Sequence, residues 1–185
     1  RITELWDYSK ADAPIPRRGR YFQLRNSGLQ NQDVLYVLDG LTAEPQLLLD
    51  PNTLSSDGTV ALSGWEPSDD GKWLAYSTSA SGSDWQTWHI RSVDSGEDLE
   101  EVILWSKFSG ASWLPDGSGF FYSRYDAPAE GEEFQQANYH QKLFFHRLHT
   151  PQADDVLIYE RPDEKEWGFG GRVSEDGAYL IINVW

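Results

Sequence analysis

Short apolar segments alternate with tight polar turns along the chain, and one combination of the two recurs three times. In each copy an apolar segment runs into an Asp-Gly turn that begins with Ser or Pro, and a second apolar or aromatic segment follows. Pro presets φ, Asp bonds its own backbone, and Gly accepts the positive φ of a tight reversal. The copies are Gly64–Ser77, Phe108–Ser123 and Arg172–Val184, at intervals of about 46 and 60 residues. This spacing is near that of propeller blades built from four short strands.

The strands predicted by this pattern fall into blade-like units of about 20–50, 58–105, 110–160 and 171–185. The fourth unit holds two strands, and residues 1–13 read as a connector. No stretch shows a sustained 3.6-residue hydrophobic period. The predicted fold class is therefore all-β, a partial β-propeller of about three and a half four-stranded blades. Within the third unit, the loop from Asp126 to Asn138 exceeds what a hairpin needs, so we expect it to be mobile or functional.

Composition excludes several classes of function. The formal net charge is −15, which argues against nucleic acid or an anionic membrane as a partner. There are no cysteines, hence no disulfide, thiolate nucleophile or Cys-based zinc site. No apolar run approaches membrane-spanning length. The chain starts at Arg1 without Met and stops at Trp185 inside a predicted strand, so we expect an excerpt of a longer protein.

Aromatic residues make up 14% of the chain, with nine Trp and nine Tyr. We expect them to fill the wedges between twisted blades, where large flat side chains pack well. A row of aromatic side chains that stack on carbohydrate is the alternative.

Candidate catalytic and metal-binding groups are sparse. The nucleophile elbow Gly-x-Ser-x-Gly is absent, since the nearest approach, Gly110–Leu114, lacks the second Gly. Strand parity puts His140 and His146 on one face and His149 on the other, which favours ordinary half-exposed strand histidines over a metal site. We expect no cofactor, no metal and no catalytic constellation within this chain. The adjacent acidic pairs are also poor catalytic candidates, because neighbouring side chains diverge. These pairs are Asp69-Asp70, Glu132-Glu133 and Asp154-Asp155.

Several collinear stretches resemble the propeller of the prolyl oligopeptidase (prolyl endopeptidase) family. They are Ile2–Tyr8, Asn26–Gln32, Leu49–Asn52, Asp57–Leu62, Ser79–Trp85 and His140–Leu143. The resemblance implies a seven-bladed ring of which this chain holds roughly the first half. It also implies an α/β-hydrolase domain with a Ser-Asp-His triad, mainly after Trp185 and with a smaller part before Arg1.

By that resemblance the parent protein is a serine peptidase that cuts short peptides after proline, and the propeller caps its active site. The implied partners are short proline-containing peptides and the catalytic domain of the same chain. We expect a monomer in the cytoplasm, with the periplasm as the alternative compartment. Two other functions stay open: a related oligopeptidase that cuts after basic residues, and a non-catalytic propeller serving as an interaction or ligand-binding scaffold.

The resemblance also implies substrate-binding positions. Phe108 matches an apolar residue of the pocket for the residue two before the cleaved bond, although patterning alone favours a core aromatic. Asp84 matches an acidic residue that shapes the cavity, with its basic partner expected beyond Trp185; patterning alone makes it a turn residue. The segment Trp167-Gly168-Phe169 matches another pocket wall. A larger side chain is usual at Gly168, so we expect that wall to be altered or filled by Phe169.

Overall fold

The structure is a computed structural model that describes residues 1–129, 131–132 and 137–185. Within these residues the strands form four antiparallel sheets. The loop from Asp126 to Asn138 and the pair Glu132-Glu133 lie partly outside the described residues. The one α-helix of the described residues, α1 (Ile2–Trp6), has five residues and buries none of them. Strand-rich architecture with hardly any helix confirms the all-β prediction.

The first sheet begins earlier than the sequence pattern indicated. Two short strands, β1 (Lys10–Ala11) and β2 (Ile15–Arg17), both pair with β3 (Arg20–Asn26). The sheet continues through β4 (Val34–Leu38) and β5 (Gln46–Leu49). Pairing therefore begins inside the predicted connector, residues 1–13, and the division into connector and propeller stays a prediction.

The next two sheets each have four strands in sequence order, joined by hairpins. The second sheet contains β6 (Val60–Pro67), β7 (Trp73–Ala80), β8 (Gln86–Ser92) and β9 (Asp98–Ser106). The third contains β10 (Ser112–Trp113), β11 (Gly119–Arg124), β12 (Lys142–Arg147) and β13 (Val156–Tyr159). The fourth sheet pairs β14 (Phe169–Val173) with β15 (Leu180–Val184). Short 3-10 helices follow β5 and precede β13, at Pro51–Thr53 and Gln152–Asp154.

Consecutive antiparallel strands put the connections at two opposite ends of the sheets. We call the end with the three Asp-Gly turns, 68–72, 114–118 and 174–179, the turn face. At the other end, which we call the crossover face, lie the middle hairpins of the first three sheets and the links from each sheet to the next. One strand from each sheet lines a common cavity of about 830 Å³; these strands are β2, β6, β10 and β14.

Large apolar side chains fill the space between neighbouring sheets. Between the second and third sheets, Phe120 lies with its ring centroid 4.9 Å from that of Trp113 and 6.5 Å from that of Trp88. The cluster between the first two sheets is centred on Phe22, Leu35, Leu74 and Tyr76. These wedges bear out the expectation that aromatic residues pack between blades.

The Asp-Gly turns of successive sheets stack on one another. Gly117 has a φ of 71°, and a Cβ there would lie 3.2 Å from the carboxylate of Asp70 in the preceding turn. A Cβ at Gly177, also at φ 71°, would lie 2.8 Å from the ring of Pro115. Glycine is therefore needed twice over, for the positive φ and for the close approach of the next blade.

One expectation about the histidines is wrong. His146, on β12, is completely buried, and its Nδ1 lies 2.7 Å from Asp155, whose side chain is also fully buried. The other oxygen of Asp155 accepts a hydrogen bond of 2.5 Å from the Tyr122 hydroxyl. His140 and His149 lie outside the strands with positive φ. Strand parity failed because His140 and His149 are not in a strand. His146 is buried beside Asp155, the residue that precedes β13.

Candidate functional site

The crossover face brings the predicted binding residues to one end of the arc. Asp84 lies in the hairpin between β7 and β8, and Phe108 lies in the link from the second sheet to the third. Trp167 and Gly168 end the next such link, which leads into β14 at Phe169. The topology thus places all five residues at the same end. It does so because hairpins and crossovers alternate between the two ends of each sheet.

Phe108 is held in a conformation that points to a surface role. Its side chain is 61% exposed, so the interpretation as a core aromatic is wrong. Its φ of 53° lies in the left-handed region, as does the φ of 64° at Trp105. Bulky residues rarely adopt this region, and such strain clusters at functional sites. The crossover therefore presents an aromatic ring to solvent at a conformational cost.

Lys107, beside Phe108, is a functional candidate that the sequence did not single out. It is only 9% exposed, and its Nζ lies 4.0 Å from the centroid of the Trp85 ring. Burial lowers the pKa of the Lys107 ammonium, while the charge of Asp84 acts in the opposite direction. Asp84 is exposed in its hairpin, as a turn residue should be. Its carboxylate, the indole of Trp85 and the ammonium of Lys107 occupy adjoining positions. The sequence signal that could have pointed to Lys107 is its position next to Phe108, together with the position of Trp85 next to Asp84.

Aromatic rings extend this cluster toward the third sheet. The Trp85 ring meets the edges of Trp105 and Tyr125, with centroid separations of 5.6 Å and 6.2 Å. Trp85 and Tyr125 also line a cavity of about 250 Å³ together with Tyr139. Because rings and a buried cation lie side by side, the surface suits apolar or aromatic side chains of a bound chain.

Phe169 lies in the core and does not fill the space beside Gly168. Phe169 is 1% exposed and packs edge-on against Tyr159, with ring centroids 5.2 Å apart. The space that a side chain at Gly168 would occupy holds the indole of Trp185, whose backbone pairs with that of Gly168. Trp167 is half-buried beneath the Arg161 guanidinium at 4.7 Å. The indole of Trp185 therefore lies against Gly168.

Over the described part of the chain, no group of three or more His, Cys, Asp or Glu side chains could hold a metal ion. No helix there is long and apolar enough to cross a bilayer. The His146–Asp155 pair lies near the turn face and is sealed from solvent. The crossover face presents the exposed ring of Phe108 and the exposed carboxylate of Asp84.

A family model described as the N-terminal beta-propeller domain of prolyl oligopeptidase matches residues 1–185. This chain belongs to the prolyl oligopeptidase family. It is 37% identical to the prolyl endopeptidase of Elizabethkingia miricola over 185 residues, which are 100% of this chain and 26% of that protein. It is 38% identical to prolyl oligopeptidase A of Galerina marginata over 204 residues, covering 96% of this chain and 28% of that protein.

Solved structures of prolyl oligopeptidases share the fold. Prolyl oligopeptidase B from Galerina marginata, bound to a 25mer macrocyclization substrate, superposes with a TM-score of 0.90 at 29% identity, over 100% of this chain and 29% of that one. A structure from a study of two prolyl endopeptidases gives a TM-score of 0.86 at 37% identity, over 97% of this chain and 25% of that one. The chain thus spans about a quarter of its relatives' length, and its sheets are those of a prolyl oligopeptidase propeller.

Proposed function

We propose that this chain is the substrate-selecting propeller part of a serine oligopeptidase that cleaves short peptides after proline. The observation that carries the proposal is the exposed, strained Phe108 on the crossover face, in a chain of this family. The reactive serine and its partners would come from an α/β-hydrolase domain of the same polypeptide, facing the crossover face. We further propose that the protein acts as a monomer in the cytoplasm, with the periplasm as the alternative.

In this proposal Phe108 contacts the residue two before the cleaved bond, which immediately precedes the proline. Its ring adds apolar contact where a bulky side chain would otherwise face water. Asp84 and Lys107 set the charge beside this pocket, and Trp167 and Trp185 form the neighbouring wall. Positioned contacts of this kind raise kcat/KM when they hold the scissile bond in the reactive geometry.

The propeller would also select substrates by size. A cap over the catalytic domain excludes water and large folded proteins, and its movement is a step that can limit turnover. The cavity that the four sheets share supports a polar route for substrates, because charged side chains line it. They are Arg17, Glu66, Asp69, Arg172 and Glu175. Arg17 bonds Glu66 at 2.6 Å across the first two sheets, which ties the wall of that route together.

The experiment uses the full-length protein and peptides that differ only in the residue before the proline. Phe108→Ala should lower kcat/KM for a peptide with Phe at that position by about 5- to 150-fold, the equivalent of about 1–3 kcal/mol. A peptide with Gly there should be affected much less. Leu41→Ala is the matched control, since Leu41 is an apolar residue of similar exposure, 63%, near the turn face.

Equal effects of Phe108→Ala on both peptides would overturn the pocket assignment. Paired reporter peptides with proline or arginine before the cleaved bond distinguish the proposed activity from cleavage after basic residues. No cleavage of either reporter by the full-length protein would favour a non-catalytic scaffold.

A further inference from the structure

Glutamines recur at the junctions between sheets on the crossover face. Each lies at the end of the middle hairpin of one sheet, and its side-chain amide bonds the backbone near the start of the next sheet. The three are Gln32, Gln86 and Gln141. Gln32 uses both ends of its amide: it donates to the Val60 carbonyl and accepts from the Leu62 amide, each at 2.9 Å.

Gln141 makes the most buried of these links and joins two crossovers at once. Gln141 is only 1% exposed. Its Nε2 donates to the Lys107 carbonyl at 2.8 Å, and its Oε1 accepts from the Phe169 amide at 2.6 Å. These two hydrogen bonds tie the crossover that contains Phe108 to the start of β14, next to Gly168.

The bond to Lys107 bears directly on the conformation of Phe108. The peptide group before Phe108 is fixed by Gln141 through its carbonyl. The peptide group after it is fixed by Gln86, whose Oε1 accepts from the Ser109 amide at 3.2 Å. With both peptide planes anchored, the two backbone torsions of Phe108 are set, including its positive φ. The direction of the ring follows from those torsions.

We propose that Gln141 is a positioning residue of the binding face, which sets the Phe108 ring at a fixed separation from the Trp167–Phe169 wall. The inference rests on the proposed function, because it assigns Gln141 an effect on substrates through Phe108. Without the amide, the Lys107 carbonyl loses its donor. The crossover then relaxes from the left-handed conformation, and the ring leaves the pocket.

The test compares Gln141→Met with Gln32→Met in the full-length protein. Methionine has nearly the length of glutamine but makes neither hydrogen bond. Gln32 is the matched control because it forms the same kind of two-bond link at a junction that does not touch the Phe108 crossover. The readout is the ratio of kcat/KM for the peptide with Phe before the proline to that for the peptide with Gly there.

Gln141→Met should lower this ratio at least 5-fold, whereas Gln32→Met should leave it within 2-fold of wild type. In the Phe108→Ala background, Gln141→Met should change the ratio no further, because Gln141 acts through that ring. A loss of thermal stability equal to that of Gln32→Met, with the ratio unchanged, would show a purely structural role and overturn the proposal.

A second variant covers failure to fold. Gln141→Glu keeps the shape and the acceptor for the Phe169 amide but cannot donate to Lys107 when ionised, so it should also lower the ratio. If neither variant folds while Gln32→Met does, the residue is structural and the positioning role is refuted. If Phe108→Ala itself leaves the ratio unchanged, the proposed function fails. A ratio that responds to Phe108→Ala alone refutes only the role of Gln141.

Discussion

Asp155 makes the clearest prediction about stability, because its buried carboxylate serves two buried donors. Asp155→Ala removes the acceptor of His146 Nδ1 at 2.7 Å and of the Tyr122 hydroxyl at 2.5 Å. Tyr122 keeps a contact with the amide of Gln152 at 3.2 Å, but Nδ1 of His146 loses its hydrogen-bond partner. Burial and the neighbouring Asp155 charge raise the pKa of Tyr122, so its hydroxyl stays protonated and needs an acceptor.

Hydrogen bonds to a charged acceptor contribute about 1.5–3 kcal/mol each, so the loss of two gives a sum of about 3–6 kcal/mol. We expect Asp155→Ala to destabilise the protein by about 4 kcal/mol. The assay is urea unfolding followed by tryptophan fluorescence. With a slope near 3 kcal/mol/M, the midpoint should fall by about 1–2 M.

The adjacent Asp154 supplies the control, because its side chain is exposed. Asp154→Ala should change the free energy of unfolding by no more than about 0.5 kcal/mol. If the two alanine variants lie within about 1 kcal/mol of each other, the buried network does not stabilise the third sheet, and the reasoning is refuted.

Two further predictions concern the Asp-Gly turns. Gly177→Ala should destabilise more than Gly58→Ala, by about 1–3 kcal/mol in thermal unfolding, because both have a φ of 71° but only Gly177 lies against Pro115; equal losses would show that the turns do not stack. Burial raises the pKa of Asp70, but hydrogen bonds from the Ser68 hydroxyl and the Lys72 amide outweigh it, so the pKa is lowered overall. This stabilisation is present above the unfolded pKa and is lost as the pH falls through the folded one. Asp70→Asn should therefore cost stability at neutral pH, and this cost should shrink as the pH falls through the folded pKa of Asp70, as urea titrations across pH would show. A cost independent of pH contradicts the charge-based account.

Local rules predicted the strands and the tight turns, because they depend on residues close in sequence. In the turn at Pro115–Gly117, Asp116 accepts hydrogen bonds from the backbone and hydroxyl of Ser118, two residues away. The aromatic wedges also followed from composition, since a propeller has few other places to bury large rings. The all-β class needed nothing beyond this alternation.

The candidate site was predicted in part. The resemblance selected Phe108 and Asp84, and the topology places both on the crossover face. Patterning placed Phe108 in the core because it treats an aromatic residue near a strand as part of the strand. Positive φ breaks the alternation at Trp105, near the end of β9, and again at Phe108 in the crossover. The role of Lys107 depends on Trp85 approaching from another hairpin, a contact between elements that no local pattern encodes.

The sequence by itself determined the repeat, the strand segments and the turn chemistry, because those are decided within a few residues. Only the tertiary structure decided that Asp155 folds back on His146 and that Trp185 lies over Gly168. It also decided that Gln141 joins two crossovers. Each of these depends on how neighbouring sheets stack and on where a chain returns after a hairpin. Contacts between residues distant in sequence are fixed by the packing of whole sheets, and single-sequence periodicity carries no record of that packing.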